Sequence, residues 1–260
     1  MAGTAKMLIF LGDGMGGRPL QSLGGQTTIE AANTPVLDEM ATGGACGMMS
    51  PISPGIGVGS DTGHMAMLGY DPFKHYRGRG PFEAKGVGLE VKPGDVAFRC
   101  NFATVDENGV IQSRRAGRIE SGTDQLREII NKEITEINGV QILFKESVAH
   151  RAALVLRGEN LDEHITPTDP HVPGVEYWKS EPLEGYEDNE AARRTAKILN
   201  EFVARTREVL DDASLNEKRR AEGKHPANIV LPRGAGTAVD LEPFEKRYGV
   251  SGAMIVEVDL

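Results

Sequence analysis

The hydrophobic pattern begins with an unbroken apolar run, Met7-Leu8-Ile9-Phe10-Leu11, which stops abruptly at Gly12-Asp13-Gly14-Met15-Gly16-Gly17. A run with no polar alternation predicts a strand covered on both faces, the pattern of a parallel sheet. Open α/β sheets hold their ligands just beyond the carboxyl ends of such strands. Asp13 then stands at that edge between glycines, as a ligand for a hard cation or as a loop carboxylate that satisfies backbone N–H groups.

Further along, Val58-Gly59-Ser60-Asp61-Thr62-Gly63-His64-Met65-Ala66-Met67-Leu68-Gly69 predicts a short helix. Ser60 reads as its N-cap, Met65 and Leu68 as its inward face, and Gly69 as its end. A serine so placed lies at the positive end of a helix dipole, beside amides that favour an anion; an ordinary capped surface helix has the same signature. Alternation at Val96, Phe98, Cys100 and Phe102 predicts a strand with Arg99 and Asn101 on its other face. With the turn Asp106-Glu107-Asn108-Gly109, residues 95–115 read as a β-hairpin. Apolar residues at helical spacing predict helices over 123–138 and 189–211, while 141–145, 151–156, 228–231 and the final 253–260 read as strands.

Together these elements predict an α/β protein, with a mainly parallel sheet flanked by helices and interrupted by a smaller, strand-rich α+β domain. The expected division is 1–75 for the first part of the core, 76–180 for the insertion and 181–260 for the core continued. The 39% hydrophobic and 26% charged residues suit a chain with ample core. Two cysteines, Cys46 and Cys100, lie far apart, so a disulfide framework is not expected and a reducing cytoplasm is. A twenty-residue apolar segment is absent, which argues against a membrane partner. The net charge of −9 argues against nucleic acid. Within this acidic chain, nine Lys or Arg face five acids between Lys74 and Arg118. Such a local cationic region is either a solvated face or a group of guanidinium forks for a small polyanion.

Several motifs resemble, in order, the archaeal-type cofactor-independent phosphoglycerate mutases of the alkaline phosphatase superfamily. They include Leu11-Gly12-Asp13-Gly14-Met15-Gly16, Gly59-Ser60-Asp61-Thr62-Gly63-His64, Gly78-Arg79-Gly80-Pro81-Phe82-Glu83-Ala84, and Arg114-Arg115-Ala116-Gly117-Arg118-Ile119. His150-Arg151-Ala152, Thr168-Asp169-Pro170-His171 and Leu231-Pro232-Arg233-Gly234 continue the series. The resemblance runs along the whole chain, and the family continues for a substantial segment beyond residue 260, where it carries further metal ligands.

This resemblance implies an alkaline-phosphatase-like core with an inserted domain closing over the active site. It also implies that Ser60 takes the phosphoryl group of 3-phosphoglycerate, that glycerate reorients while held, and that its other hydroxyl recovers the group to give 2-phosphoglycerate, with no bisphosphoglycerate cofactor. A serine hydroxyl is a poor nucleophile at neutral pH, and two divalent ions at Asp13 and Ser60 are the expected activator, manganese foremost and magnesium, cobalt or zinc also suited. Arg99, Arg115, Arg118 and Arg151 are the expected substrate clamp, with His171 on the phosphate or carboxylate. The phosphoglycerate substrate is the expected partner, and homo-oligomerisation stays open. A metal-dependent phospho- or phosphono-hydrolase of the same superfamily, and a catalytically incomplete fragment, are the competing readings.

Overall fold

The computed structural model describes residues 6–12 and 14–255, and the chain divides into two compact units, Met1–Leu68 and Gly69–Leu260. In the first unit a 3-10 turn, Gln21–Leu23, precedes α1 (Thr28–Ala31), α2 (Pro35–Gly43) and α3 (Ser60–Met67). Thr27 and Glu30 close α1 reciprocally: the Glu30 amide donates to Thr27 Oγ1 at 3.2 Å and the Thr27 amide donates to Glu30 Oε2 at 2.7 Å. Pro35 opens α2, where its missing N–H would have had no helical partner.

The strand expected at residues 7–11 does not form. These residues carry no regular secondary structure and have no ladder partners, and Met7, Leu8 and Phe10 are 89%, 90% and 78% exposed. All described strands lie between residues 96 and 236, so no neighbour supplies the hydrogen bonds that would turn the apolar run into a sheet strand. Residues 253–255 likewise form no strand, and Ile255 is exposed; the rest of that expected strand lies outside the described residues.

The second unit contains α4 (Pro72–His75), α5 (Gly80–Gly86), β1 (Val96–Val105), β2 (Ile111–Ser113), α6 (Thr123–Glu133), β3 (Glu136–Ile137), β4 (Val140–Glu146) and β5 (Arg151–Arg157). It continues with α7 (Glu190–Asp211), α8 (Ser214–Ala221), β6 (Ile229–Gly236) and α9 (Phe244–Tyr248). One six-stranded sheet runs β2-β1-β5-β4-β3, with β6 also on β1. Every described pairing is antiparallel, so the expected mainly parallel sheet is not what these residues build. Short hairpin connections account for this, because a parallel pair needs a long crossover and β1–β2 and β4–β5 are joined by five and four residues. The chain is thus mixed α and β, an antiparallel sheet with helices on both faces.

Layering follows from the alternation along β1. Phe98, Cys100 and Phe102 point into the main core, where α6 brings Leu126 and Ile130 and α7 brings Ile198, Leu199 and Phe202. Phe144 meets Phe102 edge-on at 5.8 Å and Phe202 at 5.9 Å between ring centres. Burial of each such side chain contributes about 1.5–3 kcal/mol. Asn189 caps α7, accepting from the amides of Ala191 and Ala192 at 2.9 and 3.1 Å. On the opposite face a smaller cluster, Ala84 of α5 and Val87 just beyond it with Ala97, Ala153 and Val155, fixes α5 across one end of the sheet. Arg99 and Asn101 belong to this second face.

Candidate functional site

Ser60 lies in the first unit. Gly59, not Ser60, occupies the N-cap of α3, its amide donating to Thr62 Oγ1 at 3.1 Å, so Ser60 is the first helical residue. The half-buried ring of His64 contacts the Ser60 carbonyl through Nδ1. A carbonyl only accepts, so Nδ1 is the donor in this contact. Asp13 lies outside the described residues.

The second unit gathers arginines on the α5 face of its sheet. Antiparallel register sets Arg99 of β1 directly opposite Arg233 of β6, and Asn101 opposite Arg151 of β5. Side chains paired in this way share a face. Close approach of α5 completes the group. A Cβ on Gly80 would lie 2.0 Å from the Ala97 carbonyl oxygen, and one on Gly78 at the same distance from that of Ala235. Only glycine allows the helix to sit this near β1 and β6. That seating carries Glu83 inward, 3.8 Å from Arg79 Nε and 3.9 Å from Arg99 Nε.

A loop finishes the arrangement. Pro232 offers no N–H but its carbonyl accepts from the Thr168 amide at 3.1 Å and from Thr168 Oγ1 at 2.9 Å, fastening residues 168–171 along β6. Asp169, fully buried at its side chain, then takes Arg114 in a fork, Nε to Oδ1 at 2.7 Å and Nη2 to Oδ2 at 2.6 Å. It also accepts from the His171 amide at 3.0 Å and faces Arg233 Nε at 3.8 Å. The exposed ring of His171 meets Arg233 Nη1 through Nε2 at 3.2 Å.

Electrostatics follow from that crowding. Burial, opposed by Glu83 and reinforced by Arg79, Arg233 and Arg151, lowers Arg99 to about 10. Arg233 is lowered for the same first reason. Burial and then the charges of Arg115, Arg151, Arg99 and Arg233 push the His150 imidazole down to about 4, so it is neutral at physiological pH. Burial by itself would raise Asp169, but the hydrogen bonds from Arg114 and the His171 amide prevail and hold the carboxyl below its ordinary value.

Backbone strain borders the same place. Six described non-glycine residues have positive φ, and two are asparagines, which tolerate it. The others, Ala116 (45°), Arg118 (59°), Ala149 (57°) and His171 (66°), all lie in the loops that carry Arg115, His150 and Asp169. Conformations of this kind cost about 1–3 kcal/mol each and persist where surroundings enforce them.

Of the expected clamp residues, the structure brings Arg99, Arg151 and His171 into one cluster with Arg115 near its rim through His150. Arg118 is exposed at the end of the 114–118 turn, its amide bonded to the Arg115 carbonyl at 2.8 Å, and no described contact joins it to the cluster. Arg79, Glu83, Asn101, Arg114, His150, Asp169 and Arg233 were not among the expected site residues. Their signal in the sequence was the run of Arg-bearing loop motifs, but their convergence depends on pairings as distant as Arg99 with Arg233. Elsewhere, Asp162, Glu163 and His164 hold possible metal-ligating atoms within 4.8 Å of one another. Loop structure accounts for them: Asp162 accepts from His164 and from Asn189 Nδ2, and the His164 ring stacks on Tyr186 at 3.8 Å.

Comparison with known proteins matches residues 41–216 to the family described as 2,3-bisphosphoglycerate-independent phosphoglycerate mutase. The proteins of that name from Methanosphaera stadtmanae and Methanopyrus kandleri are each 50% identical to this chain, covering 98% of it and 61% and 60% of their own lengths. A solved cofactor-independent phosphoglycerate mutase from Thermoplasma acidophilum superposes with a TM-score of 0.60 at 40% identity, covering 94% of this chain and 62% of its own. A Pyrococcus horikoshii structure gives 0.66 at 36% identity, with 91% and 53% covered. The chain therefore spans about three fifths of the length of the curated relatives it matches. Ordered motifs, the arginine-lined face and these likenesses agree: the chain belongs to the 2,3-bisphosphoglycerate-independent phosphoglycerate mutase family.

Proposed function

We propose that this chain carries the serine nucleophile and the substrate clamp of a phosphoglycerate mutase that interconverts 3-phosphoglycerate and 2-phosphoglycerate without bisphosphoglycerate. The observation that carries the reading is the group of Arg99, Arg151 and Arg233 on one sheet face with Arg79 of the α5 N-terminus beside them, where Arg99 and Arg233 are held partly out of water. Buried guanidiniums repel one another, so an arrangement of this kind is favoured by a bound phosphate or carboxylate, whose charge offsets the repulsion.

In this reading Ser60 receives the phosphoryl group and glycerate stays held by Arg99, Arg115, Arg118, Arg151 and His171 until its second hydroxyl recovers it. The neutral ring of His150 sits among these charges without adding to them. Clamping falls to strands β1 to β5 of the expected insertion, residues 76–180, and β6 supplies Arg233 from the portion assigned to the continued core. The division at residues 75 and 180 remains part of the proposal.

For metal, the donor types fit: Asp13 and Ser60 offer the hard oxygen atoms that manganese or magnesium prefers. Two such ions, when bound, would stabilise the serine alkoxide and neutralise phosphate charge. The α3 N-terminus adds a favourable dipole for an anion beside Ser60. Free Cys46 and Cys100 suit a reducing cytoplasm, and no described helix is long and apolar enough to cross a membrane.

The direct test is a coupled assay for 2-phosphoglycerate formed from 3-phosphoglycerate, with manganese and without bisphosphoglycerate, run beside Ser60→Ala. Turnover is expected in the parent chain and none in the variant, which loses the attacking oxygen and little volume. Full rate in Ser60→Ala refutes the assignment. Release of inorganic phosphate with no 2-phosphoglycerate would favour the hydrolase reading.

A further inference from the structure

Among the described residues, six buried side-chain polar atoms have no hydrogen-bond partner, and five of them belong to the arginine cluster. Three are donors, the Nε atoms of Arg79, Arg99 and Arg233; two are acceptors, Glu83 Oε1 and Asn101 Oδ1. Native interiors seldom leave such atoms unmet, so a concentration of them marks a place where something binds. An anion alone answers only half of it. Its oxygens meet the guanidinium N–H groups, yet it brings no proton to Glu83 or Asn101 and is repelled by the Glu83 carboxylate.

The two acceptors are not casual. Glu83 and Asn101 are each 2% exposed, and Glu83 is delivered by the glycine-permitted seating of α5 described above. Asn101 is two residues from Arg99 on β1, so it shares that face. What satisfies both sets is a ligand that joins anionic oxygens to O–H donors.

We propose that Glu83, with Asn101, binds the hydroxyl groups of the substrate, so that the cluster selects a phosphorylated hydroxy acid over an equally charged molecule lacking the hydroxyl. This rests on the reading of the arginine cluster as the phosphoglycerate clamp. A site built to pair with a hydroxyl rejects the analogue without it, because its buried acceptors are then left bare.

The test measures calorimetric binding of three probes to the full chain: inorganic phosphate, 3-phosphoglycerate, and 3-phosphopropionate, in which the C2 hydroxyl is replaced by hydrogen. In the parent chain 3-phosphoglycerate is expected to bind at least about tenfold tighter than 3-phosphopropionate. Glu83→Met should bring that ratio close to one while phosphate still binds, and Glu83→Gln, which keeps an acceptor oxygen, should restore part of it. A Glu83 that only balances charge would change the affinity of all three probes together, and Gln would then behave as Met does; that result overturns the inference. An unchanged ratio in Glu83→Met overturns it too. Should Glu83→Met fail to fold by circular dichroism, Asn101→Ala serves in its place: a fall in the ratio supports the inference and an unchanged ratio overturns it. Equal binding of the two organic probes by the parent chain removes the hydroxyl reading and leaves the clamp standing, whereas binding of none of the three removes the clamp and this inference with it.

Discussion

Arg114 grips Asp169 through two parallel hydrogen bonds of 2.7 and 2.6 Å across 55 residues of sequence, with the carboxylate side chain wholly buried and the guanidinium mostly so. This pair joins the turn after β2 to the loop along β6, and through Asp169 it sets the position of His171 and the edge of Arg233. Removing one partner leaves a buried charge without its counter-ion, which costs about 3–5 kcal/mol. Arg114→Ala is therefore expected to lower the stability of the chain by about that much in urea unfolding, and Asp169→Leu combined with Arg114→Met to recover most of it. A loss below about 1 kcal/mol in the single variant would show the pair to be incidental.

The same carboxylate dictates an acid limb. Asp169 is held below its ordinary value in the folded state, so the folded form binds fewer protons than the unfolded form across that interval. Its contribution is complete above the unfolded value of about 3.9 and disappears as pH falls through the lower, folded value. Asp169→Asn should thus be less stable than the parent at pH 7, with the difference narrowing as the pH falls below about 4. Urea midpoints at three pH values decide it.

His150 acts in a higher window. Its imidazole stands at about 4 when folded, against the ordinary 6.5. A depressed histidine charges readily only when the chain unfolds, so stability is complete above pH 6.5 and falls as the pH drops toward 4. His150→Gln should flatten that part of the pH–stability curve while leaving pH 7.5 little changed. Phosphate in the cluster should raise the His150 titration midpoint, which nuclear magnetic resonance of the ring protons can follow; a midpoint near 6.5 in the free chain would contradict the crowding by Arg115, Arg151, Arg99 and Arg233.

How much of this was legible before any coordinates depends on the range of the interactions. Helix α7 was readable because its apolar spacing is local, and the structure ends it at the same residue, Asp211. The shared face of Arg99 and Asn101 was readable from the two-residue period of β1 alone. Arg233 was not, because the expected strand stopped at residue 231, whereas β6 runs through Pro232 to Gly236 and is placed by pairing with residues more than 120 positions earlier. Glu83 was hidden as well: seven-residue α5 has no marked apolar stripe, and the burial of its acid depends on glycines on two distant segments, Gly78 and Gly80 on one and Gly234 and Gly236 on the other. The run Met7–Leu11 shows the opposite failure. Its composition indicated a buried strand, but a strand also needs a neighbour, and none is supplied by the described residues.

Strain in the 114–118 turn gives a test that separates shape from charge. Arg118 is exposed, holds φ at 59°, and follows Ala116 and Gly117, which are also left-handed. A side chain in that region costs about 1–2 kcal/mol that glycine does not pay. Arg118→Gly should therefore raise the stability of the chain by about 1 kcal/mol, roughly 2–4 °C in Tm for a unit of this size. If Arg118 belongs to the substrate clamp, the same variant should bind 3-phosphoglycerate more weakly, whereas Arg118→Asn, which tolerates the conformation but also lacks the charge, should match it in both respects. Stability rising with affinity untouched would restrict the clamp to Arg99, Arg151, Arg233 and their neighbours. A fall in stability would mean instead that the Arg118 side chain makes contacts worth more than the conformational relief, and the turn would then be held by that side chain, not imposed on it by Ser113 Oγ, which accepts from the Gly117 amide at 2.8 Å.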